Sequence, residues 1–141
     1  MTGVQTCALP IYVKFLGYVD DEEKIALIHG ARAIVFPSCE RSEAFGITLL
    51  EGAMFAKPLI TADIGTGTTY INIDGETGLV VAPKDQVSLR AAMETLYGDK
   101  ELAVRLGEGA RKRFESLFTG QEMGRRYAGI YRDLLHLVEP S

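Results

Sequence analysis

Ala33-Ile34-Val35-Phe36 is an unbroken apolar run closed by Pro37-Ser38. It constrains the fold more than any other stretch of the chain. A strand with one wet face alternates apolar and polar residues; a short run with no polar position suits a strand covered on both faces, as in a parallel sheet. Two more short runs follow: Leu59-Ile60-Thr61 after Lys57-Pro58, and Leu79-Val80-Val81, ended by Pro83. Val13-Lys14-Phe15-Leu16, before Gly17, reads as a further strand. Parallel strands need long crossovers, usually helical, and the intervening segments have that pattern. Asp20 or Asp21 caps a helix reaching about Gly30, with Glu23 three residues after Asp20 as in a capping box. Ile25, Ile28 and Ala31 share one side of it. A second helix ends near Phe55, and Tyr70-Ile71 starts a short third one. Beyond Pro83 the pattern is helical to the end. Leu89, Met93, Leu96 and Tyr97 make one apolar stripe; Leu102, Leu106, Ala110 and Phe114 a second; Tyr127, Ile130, Tyr131, Leu134 and Leu135 a third. The class is α/β: a doubly wound parallel sheet with C-terminal helices.

The 141 residues suffice for one domain, able to bury roughly 65–70% of its unfolded surface. A formal charge of −4 argues against a general nucleic-acid binder. No apolar run reaches the ~20 residues of a membrane helix. Cys7 and Cys39 make neither a disulfide framework nor a zinc set, which fits a reduced, cytoplasmic chain. Residues 1–11 have neither hydrophobic period nor the build of a signal peptide. They resemble the in-frame translation of a sequencing-adapter oligonucleotide. We expect them to be a non-native leader, and residues 12–141 to be part of a C-terminal domain of a longer protein.

In doubly wound sheets, ligands sit beyond the carboxyl ends of the strands. Pro37 to Gly46 and Asp63 to Thr69 both occupy such exits and should face one crevice. The first leads into Ser42-Glu43-Ala44-Phe45-Gly46-Ile47-Thr48-Leu49-Leu50-Glu51. This places one carboxylate before a helix and another one to two turns inside it. A carboxylate can accept two hydrogen bonds from a vicinal diol, worth roughly 1.5–3 kcal/mol each. The amides of Gly46 to Leu50, between the two, would suit phosphate oxygens, and Gly46 permits close approach. The plainer alternative is a solvated loop glutamate and an ordinary helix-surface glutamate. Gly65-Thr66-Gly67-Thr68 is either an amide nest for phosphate or a tight turn. Asp74-Gly75-Glu76-Thr77-Gly78 is a turn cluster, and Glu76 has only a minor claim on a ligand. His29 and His136 lack partners at useful spacing and read as structural. Arg111-Lys112-Arg113 is one side of a solvated helix, with peripheral contact to an anionic membrane as the alternative. No metal-ligand cluster is evident.

Phe36-Pro37-Ser38, the block from Ser42 through Leu50-Glu51-Gly52-Ala53-Met54, and Lys57-Pro58 together resemble a known signature. So do Phe15-Leu16-Gly17-Tyr18-Val19, Ala31-Arg32-Ala33 and Gly75-Glu76-Thr77-Gly78-Leu79-Val80-Val81. They are similar to the retaining, nucleotide-sugar-dependent glycosyltransferases of family four, the glycosyl transferases group one, over residues 12 to about 135. The resemblance implies the C-terminal, Rossmann-like, donor-binding half of a GT-B fold. Glu43 would then contact donor-sugar hydroxyls, with Ala44, Phe45, Gly46 and Ile47 supplying amides. Thr48, Leu49 and Leu50 would lie near the diphosphate, and Glu51 would hold the ribose hydroxyls. Gly65, Thr66 and Gly67 replace the family's more usual Gly-Gly-x-Pro-Glu loop, a variant that points weakly to a GDP-sugar donor, with UDP-sugars open. No metal or separate cofactor is implied. The acceptor, a glycan or a lipid-linked sugar, would meet an N-terminal domain, and the full-length protein could touch the inner face of the membrane.

The departures carry equal weight. The Gly-Arg…Lys-Gly and Gly-x-Gly segments that neutralise the leaving diphosphate in this family have no counterpart here and would lie upstream of Tyr12. Stabilising that charge is the main catalytic task, so the chain alone is expected to turn over little. Two other readings stay open: a nucleotide-sugar epimerase of the same fold, and a non-catalytic Rossmann-like binding module.

Overall fold

Three short strands form a parallel sheet in the order β1-β2-β3, where β1 is Ile34–Phe36, β2 Leu59–Ala62 and β3 Gly78–Val81. This computed structural model describes residues 13–136; residues 1–11 and their assignment as a leader lie outside the described part. In chain order the helices are α1 (Asp21–Gly30), α2 (Ile47–Met54), α3 (Gly67–Ile71), α4 (Gln86–Gly98), α5 (Lys100–Leu117) and α6 (Gly120–His136).

β2 is the centre and is buried throughout. Its alternate side chains feed two cores. Ile60 and Ala62 pack with Val81, Leu96 and Leu106; Leu59 packs with Leu49, Ala53, Ile71 and Ala110. Helices therefore cover both faces, as the apolar runs predict, and α5 contributes to both cores. It lies close because Gly107 and Gly109 lack side chains: a Cβ would come within 2.1 Å of the Ala56 and Glu76 carbonyl oxygens respectively. Each glycine costs about 1 kcal/mol of helix propensity, offset here by that approach.

A polar hub ties the sheet to α3. Asn72, 1% exposed, donates to Thr61 Oγ1 at 2.9 Å and to the Leu79 carbonyl at 3.1 Å. Its own side-chain oxygen accepts from Thr77 Oγ1 at 2.9 Å. Every member is satisfied, so the burial costs little.

Several expectations hold. Asp20 caps α1, and the capping box with Glu23 is present in both directions. The turn over Asp74–Thr77 leads straight into β3. α2 ends where expected, at Met54 with Phe55 as its C-cap, and Ala56 at φ 53° completes the turn into Lys57-Pro58. Others need correction. Residues 13–16 are not a strand: they make no ladder with the described strands, and Phe15 is 72% exposed. β1 is not covered on both faces, because Val35 is 36% exposed. On α1, Ile28 is buried but Ile25 is exposed. α3 starts at Gly67 rather than Tyr70, and stops at Ile71. Met93, Tyr97 and the whole apolar stripe of α6 are exposed, whereas Leu96, Leu106 and Ala110 are core. Periodicity locates an apolar face; it does not say whether a neighbour covers it.

Candidate functional site

The exits of β1 and β2 meet, as topology predicts. The Gly67 amide donates to the Ala44 carbonyl at 2.9 Å. The approach is so close that a Cβ on Gly67 would sit 2.7 Å from both the Ala44 oxygen and Phe45 Cδ2. The Gly65-Thr66-Gly67 segment is thus a wall of the β1–α2 loop. Two of its three amides are engaged within the protein: that of Gly67 as above, and that of Gly65 with Asp63 Oδ1 at 3.3 Å. Thr66 caps α3 in an extended conformation, without a side-chain bond to the helix amides.

Glu43 is half-buried and turned onto its own loop. Its Oε1 accepts from the Gly46 amide at 3.0 Å and the Phe45 amide at 3.4 Å. Gly46 caps α2 in the left-handed conformation, φ 85°, which favours glycine. Of the amides expected to lie open between the glutamates, that of Gly46 belongs to Glu43, and that of Leu49 returns to the Gly46 carbonyl at 2.9 Å. The first-turn amides of Ile47 and Thr48 have no intrahelical acceptor, and α2 has no side-chain cap. Ile47 and Thr48 are exposed, and Ala44 is exposed beside them. Leu49, fully buried, is a core residue, so it offers a ligand no side chain. Leu50 and Phe45 instead line an apolar cavity of about 300 Å³ beneath α6.

Glu51, with 30% of its side chain exposed, receives Lys24 Nζ on Oε1 at 2.9 Å. Lys24 also reaches Asp21 at 3.3 Å. The hydrogen bond to Glu51, then that to Asp21, raises the Lys24 pKa above its ordinary value. Oε2 of Glu51 takes no part in these contacts. Sequence reasoning missed Lys24, whose only local signal was a cation one turn into α1. The carboxyl edge of the sheet also carries a cavity of about 280 Å³ between Pro37 and Cys39 on one side and Lys84 to Gln86 on the other. Among the described residues no group of His, Cys, Asp and Glu is arranged to hold a metal, and no helix is long and apolar enough to cross a membrane.

The site therefore combines an uncapped helix start, suited to an anion, with a carboxylate on either side. The chain is 50% identical over 123 residues to the O-antigen chain mannosyltransferase C of Escherichia coli, covering 87% of this chain and 33% of that protein. It is 56% identical over 107 residues to the D-rhamnosyltransferase WbpZ of Pseudomonas aeruginosa, covering 76% and 28%. It thus spans about a third of the length of these relatives. Among solved structures, the sucrose-phosphate synthase of Thermosynechococcus elongatus superposes with a TM-score of 0.75 at 30% identity, covering 88% of this chain and 30% of that one. Residues 4–113 match the family described as glycosyl transferases group 1, and with that match over most of its length the chain belongs to that family.

Proposed function

We propose that this chain is the donor-binding part of a retaining glycosyltransferase that moves a hexose, mannose-like or related, from a nucleoside diphosphate to a glycan or lipid-linked acceptor. The observation that carries the reading is the start of α2: free first-turn amides at Ile47 and Thr48, with Glu43 and Glu51 on either side. In the transfer, the bond between the sugar's anomeric carbon and the diphosphate breaks, and negative charge grows on the leaving phosphate. Preorganised amides aimed at that charge stabilise the transition state more than the ground state. Glu51 keeps Oε2 for a ribose hydroxyl while Lys24 occupies Oε1. Glu43 orders the loop first; its second oxygen is the one left for a sugar hydroxyl. Neither glutamate is suited to act as an acid/base pair. The relatives named as mannosyl- and rhamnosyltransferases support a GDP-linked donor, with a UDP-linked donor as the alternative.

The 141 residues contain no Gly-Arg…Lys-Gly segment, so we expect weak donor binding and little turnover from the chain alone. Calorimetric titration of GDP and UDP into wild type and Glu51→Gln tests the ribose role. The expected result is a loss of affinity of about 10-fold, the loss of one charge-assisted hydrogen bond; unchanged affinity for both nucleotides would remove Glu51 from the site.

A further inference from the structure

Phe45 stands between Glu43 and the start of α2, and its ring is packed from below. It meets Phe118 edge to face, with centroids 6.2 Å apart and planes at 72°. Phe118, the residue that caps the C-terminus of α5, also meets Tyr70 edge to face at 5.8 Å and 86°. Tyr70 lies in α3, three residues after Gly67. Arg113 places its guanidinium carbon 5.1 Å from the Tyr70 ring centroid and donates from Nε to the Tyr70 carbonyl at 3.1 Å. One aromatic ring at the end of α5 thus touches an aromatic residue from each of the two segments that meet at the Ala44–Gly67 hydrogen bond.

We infer that Phe118, with Tyr70 and Arg113, is a positioning group for the donor site: it clamps the Glu43–Gly46 loop against the Gly67 wall and so fixes the aim of the α2 amides. The inference rests on the reading of that loop as the donor site, but the clamp itself does not. Phe118 makes its aromatic contacts with Phe45 and Tyr70, and also packs against the core that holds Leu49 of α2. Its influence passes through Phe45, the neighbour of the Gly46 amide that holds Glu43. An edge-to-face pair contributes beyond its buried area, and losing two of them corresponds to about 5- to 100-fold in a local opening equilibrium.

The test is amide hydrogen exchange by NMR on this chain, with GDP and UDP titrations alongside. Variants are Phe118→Ala, Tyr70→Ala, which alters a half-exposed position should Phe118→Ala fail to fold, and Tyr70→Phe, which keeps the ring. In Phe118→Ala, which loses both pairs, the Gly67 amide should exchange at least about 5-fold faster relative to the Leu96 amide of α4; in Tyr70→Ala, which loses one, at least about 2-fold; nucleotide affinity should fall in both. Tyr70→Phe should restore both. Equal acceleration at Gly67 and Leu96, or none, overturns the clamp whether or not nucleotide binds. Faster Gly67 exchange with undiminished nucleotide affinity overturns the link to the site. Wild type that binds neither nucleotide even at the highest soluble nucleotide concentrations counts against the donor-site reading instead, and the exchange ratio still decides the clamp.

Discussion

The loop that carries Glu43 and the helix face that carries Glu51 hold their carboxylates in opposite ways. Glu43 is satisfied by amides two and three residues ahead of it. Glu51 is satisfied by an ammonium 27 residues away on α1. The first arrangement is local, made by the same turn that starts α2. The second depends on two helices being docked. The loop is therefore sensitive to backbone crowding, whereas the Glu51 face responds to charge, salt and pH.

The largest expected effect breaks the loop side. Gly67→Ala would drive a Cβ into the Ala44 carbonyl and the Phe45 ring. Overpacking against backbone costs about 1–3 kcal/mol, so urea denaturation should show a clear fall in midpoint, and nucleotide affinity should drop with it. Gly46→Ala comes next. At φ 85° an L-residue is strained by about 1–2 kcal/mol, and the new Cβ would also press on Leu49 Cδ1 at 3.0 Å. A loss of stability without disturbance of the Glu43 loop in NMR spectra would contradict the local account.

Lys24→Met probes the other side and should be milder. The pair is partly exposed, so only a small drop in melting temperature is expected, and ~1 M salt should erase most of it. Because the Lys24 pKa is raised, its contribution is fully present below the ordinary lysine value of 10.5 and is lost only as pH rises through the higher folded value. The wild-type advantage should thus be flat across neutral pH. A difference that persists in high salt would mean Lys24 acts by packing.

The smallest effect is expected on α6. Glu122 on α6 is bonded by Arg125 and Arg126 at 2.7 Å, and these hydrogen bonds lower its pKa to about 2. Its contribution is present above the unfolded value near 4.5 and is lost as pH falls toward 2. Glu122→Gln should flatten that part of the stability-against-pH curve slightly and leave nucleotide binding untouched.

The same contrast explains what the sequence made legible. The Asp20–Glu23 capping box, the three apolar runs and the strand-exit crevice are short-range or topological signals, and each is present in the structure. Residues 13–16 carry the composition of a strand, yet a strand requires a partner that composition cannot supply. Lys24 with Glu51, the Asn72 hub and the Phe118 contacts join residues distant along the chain, and no spacing rule encodes them. For the site, the positions of Gly46 and Gly67 at one crevice were readable. That Leu49 turns into the core, and that the Gly65 and Gly67 amides are engaged internally, followed only from packing.

The Asn72 hub has a consequence for how the sequence can drift. Asn72 spends its amide group on Thr61 and the β3 backbone and its oxygen on Thr77. An apolar substitution at position 72 alone would strand the buried Thr61 hydroxyl and remove one of the Thr77 hydroxyl's partners, the Ile73 backbone being the other, and a substitution at Thr61 or Thr77 alone would leave the Asn72 side chain short of a partner. Positions 61, 72 and 77 should therefore covary, changing together or staying fixed. A double-mutant cycle across any two of them should show strong coupling.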